Sequence, residues 1–148
     1  MASSVQIKLL RSGNEAILLN VAQGVFDNTV DLDITKEFLS DPRHHLAVAI
    51  DNDLVVGMAS AVHYLHPDKQ PELWINEVGV APTHQRRGVG KALLAALFDE
   101  GWKLGCTEAW VLTDRPNVAA MRLYSSVGGK EYKDDLVMFS FHLNPKGD

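Results

Sequence analysis

The sequence predicts a mixed α/β (α+β) domain, with helices on both faces of a mostly antiparallel central sheet. Three observations carry this expectation. Segments with the two-residue alternation of strands dominate the first half of the chain. The longest run with helical spacing, roughly 88–104, follows them. Beyond it the order is strand, helix, strand, which interleaves helices with a sheet.

Taken in order, Val5 to Arg11 alternates, with Val5, Ile7 and Leu9 on one face. Asn14 is placed to cap a helix that turns Ile17, Leu18 and Val21 inward and ends near Gly24. A polar stretch from Asp27 to Asp33 leads to a short helix around Thr35 to Leu39, closed by Asp41-Pro42. Leu46 to Ile50 and Leu54 to Tyr64 read as strands joined by a tight hairpin at Asp51-Asn52-Asp53, because Asn and Asp tolerate the left-handed turn conformation. After a turn at His66-Pro67-Asp68 comes a fourth strand, Glu72 to Val80. Ala81 to Arg87 is a loop opening into the long helix, where Lys91, Asp99 and Lys103 form a polar stripe and Leu93, Leu97 and Leu104 serve the core. Gly105 stops it. Thr107 to Thr113 is a fifth strand, Asn117 to Val127 a helix and Leu136 to Leu143 a last strand. With no repeat, low-complexity segment or long linker, one domain over 1–148 is expected.

The 148 residues suffice for a hydrophobic core, and 46% apolar with 22% charged content is ordinary for a soluble globular protein. No apolar run approaches the roughly eighteen residues of a membrane span. The start, Met1-Ala2-Ser3-Ser4-Val5, lacks the layout of a secretion signal. One cysteine allows neither a disulfide framework nor a cysteine zinc site. These points lead to an expected cytoplasmic protein. The net charge of -5 argues against nonspecific nucleic-acid binding and is compatible with a cationic small-molecule partner. Neither His44-His45 nor His63 with His66 comes with a clear third ligand, so no metal is expected. Cys106 reads as a small packed residue.

The segment with most chemistry in it is Asn76-Glu77-Val78-Gly79-Val80-Ala81-Pro82, followed by Gln85-Arg86-Arg87-Gly88-Val89-Gly90-Lys91. A strand passes through a basic, glycine-containing loop into a long helix, whose first N–H groups and partial positive charge favour phosphate. Gly88 and Gly90 would let a pyrophosphate approach the backbone, and Arg86 and Arg87 add charged donors. The spacing of a P-loop is missing, and Leu93 stands where a dinucleotide fingerprint has its third glycine.

Gln85-x-x-Gly88-x-Gly90 after Val78-Gly79-Val80 resembles the acetyl-CoA pyrophosphate signature of the GNAT superfamily of N-acetyltransferases. The run Asn117 to Tyr124, followed by Gly128, resembles a second block of that family. The resemblance, over Leu46 to Leu143, implies acetyl-CoA as cosubstrate and a sheet splayed between its fourth and fifth strands, with pantetheine in the gap. It implies that Val78 and Val80 pair with pantetheine through their backbones, and that an N–H near Val78 stabilises the oxyanion. It further implies a bulge, with which Gly79 is compatible. Backbone amides of Arg86, Arg87, Gly88, Val89, Gly90 and Lys91 would hold the pyrophosphate, with Gln85 in the signature and Asn117 near the pantetheine arm. Tyr124 matches the family's general acid.

For the base, Asp114 at the end of the fifth strand and Glu77 on the fourth are both candidates. Glu77 is expected to share a face with Leu73 and Ile75, where a carboxylate needs explaining. Asp114 would alternatively start a turn with Arg115-Pro116.

Within the superfamily the chain is similar to the small aminoglycoside 3-N-acetyltransferases at Val55-Val56-Gly57, Ala61 to Leu65, Trp74 to Val80 and the carboxylate at Asp114. The implied substrate is an aminoglycoside antibiotic acetylated at its 3-amino group, as in a resistance enzyme. Glu77 and Asp114, with Asp27, Asp31 and Asp33 as an acidic rim, would then hold its ammonium groups. The strand Trp74-Ile75-Asn76-Glu77-Val78 departs from the tyrosine-rich stretch with aspartate common in those enzymes, and Arg115-Pro116-Asn117 is closer to the general superfamily. Alternatives are another small-molecule, peptide or protein amine, and a noncatalytic acyl-CoA-binding sensor. A homodimer also accords with the resemblance.

Overall fold

A computed structural model describes residues 4–144. Its sheet is built outward from a long hairpin of β2 (His44–Asp51) and β3 (Leu54–Tyr64). Asn52 and Asp53 adopt positive φ, 48° and 66°, in the turn, which matches the right-handed twist of the flanking strands. β1 (Gln6–Leu9) lies beside β2 and β4 (Glu72–Val80) beside β3, all antiparallel. β5 (Glu108–Val111) adds in parallel to β4, giving the order β1-β2-β3-β4-β5.

Alternation along the strands sends alternate residues to two covered faces. One face receives α2 (Val89–Lys103), whose Leu93, Leu94 and Leu97 are fully buried. Gly57 and Gly101 permit its close approach: a Cβ at Gly57 would lie 3.1 Å from Val89 and 3.2 Å from Leu93, and one at Gly101 2.9 Å from Leu73. The opposite face is covered by a 3₁₀ turn at Glu15–Leu19 and by α1 (Leu32–Ser40), which Asp31 caps by accepting the Ile34 N–H. α3 (Val118–Ser126) packs beside α2.

Four expectations are corrected. Asn14 caps no α-helix, and its Oδ1 accepts the Arg11 N–H. The helix stops at Leu19 because Asn20 and Ala22 exchange backbone hydrogen bonds with Val55, turning Val21 into a strand-like bridge. Leu104 is substantially exposed, because the chain turns at Gly105 (φ 89°) before the core can cover it. β5 is shorter than Thr107 to Thr113 because it diverges from β4 after Val111. Leu136 to Leu143 joins no sheet and lies exposed. Among the described residues no helix is long and apolar enough to cross a membrane.

Candidate functional site

Two irregularities in β4 shape the site. Its ladder with β5 ends at the Ile75–Val111 pair, while the ladder with β3 continues to Val80. From residue 76 onward, one edge of β4 therefore faces an open wedge, with Val78, Gly79 and Val80 along it. The second irregularity is a bulge: Ile75 pairs with Ala61, but Glu77 pairs with Ser60, leaving Asn76 as the extra residue. The bulge is at Asn76, not at Gly79. It reverses the alternation, so Glu77 does not share a face with Leu73 and Ile75; it lies on the α1 side with Ser60.

Gly79 is needed for another reason. A Cβ there would fall 2.1 Å from the Val25 carbonyl oxygen. The amino-terminal loop thus presses directly on β4 where the wedge opens.

The loop between β4 and α2 is tied at both ends. The Gln85 side chain donates from Nε2 to the Val80 carbonyl at 3.0 Å. His84 bridges Thr83 Oγ1 (2.8 Å) and Asp51 Oδ2 (2.7 Å), anchoring the loop to the β2–β3 turn. The Asp51 carboxyl is lowered from its usual range by hydrogen bonds from Ser4 and then from His84. Arg86 (φ 62°) and Gly88 (φ 78°) hold left-handed conformations, and Ala92 makes the first helical bond, to the Gly88 carbonyl. The N–H groups of Val89, Gly90 and Lys91 come before it and have no carbonyl of their own helix to reach. Gln85, Arg86, Arg87, Gly88 and Lys91 are all exposed. A Cβ at Gly88 would meet open space. Gly90 is constrained by packing, since a Cβ there would lie 3.1 Å from Leu123 of α3.

A cleft of about 370 Å³ opens on the α1 face. Glu77 and Ser60 from the sheet meet Asp27 and Asp31 from the amino-terminal loop along it. Asp27, Asp31 and Glu77, three of the five carboxylates expected around an amine, are thus brought together, and Asp33 is not among the lining residues. Asp31 is partly committed as the α1 cap. Asp114 is not among the lining residues. It is exposed, and its carbonyl accepts the Asn117 N–H in a turn. Asn117 Oδ1 caps α3 through the Ala120 N–H, leaving Nδ2 for other contacts. Tyr124 is half-buried against the core, and burial raises its phenol above the ordinary value. The Cys106 thiol is buried and raised, first by burial and then by Glu72.

Ser60, Asn76 and Phe26 also line the cleft, a role the sequence alone does not assign them. A serine in the apolar run Val55 to Val62 was the available signal for Ser60. Asn76 needed the register, which only the paired strand supplies. Among the described residues, no three His, Cys, Asp or Glu side chains are grouped to hold a metal ion.

A profile of the acetyltransferase (GNAT) family matches residues 17–128. The chain is similar to the ribosomal protein bS18-alanine N-acetyltransferase of Escherichia coli (strain K12), at 40% identity over 60 residues. That alignment covers 40% of this chain and 40% of the relative, so the chain spans under half the length of the protein it matches. In fold it is similar to an aminoglycoside acetyltransferase, meta-AAC0020 from an uncultured soil metagenomic sample, in complex with sisomicin. There the TM-score is 0.82 at 18% identity, covering 95% of this chain and 97% of the other. It is also similar to aminoglycoside N-acetyltransferase AAC(6')-Iy in complex with CoA, with a TM-score of 0.79 at 20% identity, covering 97% and 98%.

Proposed function

The chain belongs to the GNAT family of acetyltransferases, and from that premise we propose that it transfers an acetyl group from acetyl-CoA to an amino group of an aminoglycoside. The observation that carries this reading is a junction. The wedge between β4 and β5 opens next to an acidic cleft, and Glu77 stands where the two adjoin.

Acetyl-CoA, the cosubstrate, supplies the acyl group as a thioester. The loop from Gln85 to Lys91 binds its pyrophosphate through the free N–H groups at the start of α2 and through Arg86 and Arg87. The unpaired edge at Val78, Gly79 and Val80 offers backbone partners to pantetheine, and an N–H near Val78 stabilises the oxyanion. Asp27, Asp31 and Glu77 hold the ammonium groups of the acceptor, since carboxylates at short range favour and attract cations. Glu77 accepts the proton the amine must lose before its lone pair attacks the thioester carbon. As the carbon–sulfur bond breaks, Tyr124 donates a proton to the departing sulfur; its raised phenol stays protonated at neutral pH. Asp114, on its exposed turn, is the alternative base.

The 3-amino group is the acetylation site implied by the sequence resemblance, whereas the CoA-bound structural neighbour carries a 6' designation. A second reading, acetylation of a peptide's amino-terminal alanine, is favoured by the 40% identical stretch shared with the bS18-alanine enzyme.

Incubation of the protein with acetyl-CoA and either aminoglycosides or an alanine-terminated peptide separates these readings. The expected result is CoA release with aminoglycosides at a kcat/KM at least about 100-fold above that for the peptide, with the 3-N-acetyl product identified by NMR. Preferential turnover of the peptide would favour the second reading. Tight acetyl-CoA binding without turnover of any amine would leave a noncatalytic sensor.

A further inference from the structure

The sheet face that α1 covers carries an aromatic pair beyond the reach of that helix. Across the strands, His44, Val62, Trp74 and Trp110 stand in one row. The neighbouring row holds Leu46, Ser60 and Glu77, which line the acidic cleft. Residues two apart on a strand share a face, so both rows lie on the α1 side. α1 reaches the first member of the outer row, where Phe38 stacks on His44 with ring centroids 4.9 Å apart. Trp74 and Trp110 lie past it.

The pair is built as a unit. The two indoles stack with centroids 4.9 Å apart and planes 13° from parallel. Neighbouring strands lie about 4.8 Å apart, so the rings stand side by side above β4 and β5. Tyr64 meets Trp110 edge-on at 89°, and its hydroxyl accepts the Trp110 indole N–H at 3.2 Å. Trp110 is thereby held, and it covers one face of Trp74. The other face is turned toward β3, where the row offers only the short side chain of Val62. Trp74 remains 37% exposed. Apolar surface left open and rimmed by polar groups marks a place of contact.

The rim is acidic on two sides. The cleft contributes Glu77, Asp27 and Asp31. On the side away from it, Glu72 stands directly across from Glu108. Carboxylates placed opposite one another repel. Glu72 is met by His66 at 3.1 Å and Lys69 at 3.9 Å, while Glu108 is exposed. An indole face itself attracts ammonium groups, more strongly than the other aromatic rings do. A flat indole between two groups of carboxylates therefore suits a ring that carries ammonium groups.

We propose that the open face of Trp74, backed by Trp110, is a second acceptor subsite that stacks an amino-sugar ring of a multi-ring aminoglycoside. The inference rests on the aminoglycoside reading and extends it from the reacting amine to the rest of the acceptor. Trp74 lies about 7–10 Å along β4 from Glu77, so the stacked ring and the ring bearing the reacting amine are different rings of one molecule. Glu72 and Glu108 meet ammonium groups beyond the stacked ring. The subsite thus selects acceptors by length, favouring those that reach from Glu77 to Trp74.

The two probes are sisomicin and 2-deoxystreptamine, the single ring of sisomicin that bears its 3-amino group. In Trp74→Leu the ratio of kcat/KM for sisomicin to that for 2-deoxystreptamine is expected to fall roughly 10-fold. An unchanged ratio would overturn the subsite. A second measurement leaves the pair intact and decides the matter where the single ring is not turned over. In Trp102→Phe, which alters an exposed position on α2, only Trp74 and Trp110 remain to emit. Their fluorescence is expected to shift as sisomicin is added. Acetylation of sisomicin with no such shift sinks the subsite alone. A wild type that neither binds nor acetylates sisomicin sinks the aminoglycoside reading and the subsite together.

Discussion

At Gly79 the missing side chain decides how the amino-terminal loop meets β4, because a Cβ would sit 2.1 Å from the Val25 carbonyl. Gly79→Ala is expected to push that loop off the strand and cost about 1–3 kcal/mol, read as a lowered Tm. Nothing along Glu72 to Val80 reveals this contact or the bulge at Asn76, since both depend on distant backbone. The family resemblance implies Tyr124 as the acid, and burial raises its phenol above the ordinary value. If it is the acid, Tyr124→Phe lowers kcat by about 100-fold while acetyl-CoA binding changes little. His45 carries a separate expectation. It is buried, its Nε2 lies 2.8 Å from His63 Nδ1, and burial first and His63 second push it down from 6.5 to about 4. The unfolded chain therefore binds more protons between those values, so stability falls as pH drops from about 6.5 to about 4, by about 3 kcal/mol in all. Denaturation midpoints across that range check the slope, which His45→Gln should flatten.

Among the elements, those defined by local chemistry were legible. The hairpin at Asn52-Asp53 and the long helix, expected over 88–104 and observed over Val89–Lys103, follow from turn residues and apolar spacing. The helix after Asn14 was not, because pairing of Asn20 and Ala22 with Val55 outcompeted it. The segment 136–143 has the alternation of a strand but pairs with none among the described residues. Gln85 shows what a signature residue contributes physically: its side chain clamps the loop to the end of β4. Gln85→Ala removes one hydrogen bond of about 1 kcal/mol and is expected to weaken acetyl-CoA binding roughly fivefold, measurable by calorimetry.

Across the whole molecule, Asp27 and Asp31 come from one amino-terminal loop and Glu77 from a strand far along the chain, and only folding brings them to one cleft. The sequence named all three, but it could not separate them from Asp114, because the bulge that turns Glu77 toward Ser60 is a property of strand pairing. An acidic cleft on a chain of net charge -5 implies that a polycationic acceptor is bound less well as salt rises. A kcat/KM that falls with ionic strength checks this. The most direct test of the account is Glu77→Gln, assayed for CoA release with an aminoglycoside and for acetyl-CoA affinity in parallel. The account predicts turnover lowered at least about 100-fold with acetyl-CoA binding unchanged. Turnover at the wild-type rate would contradict it.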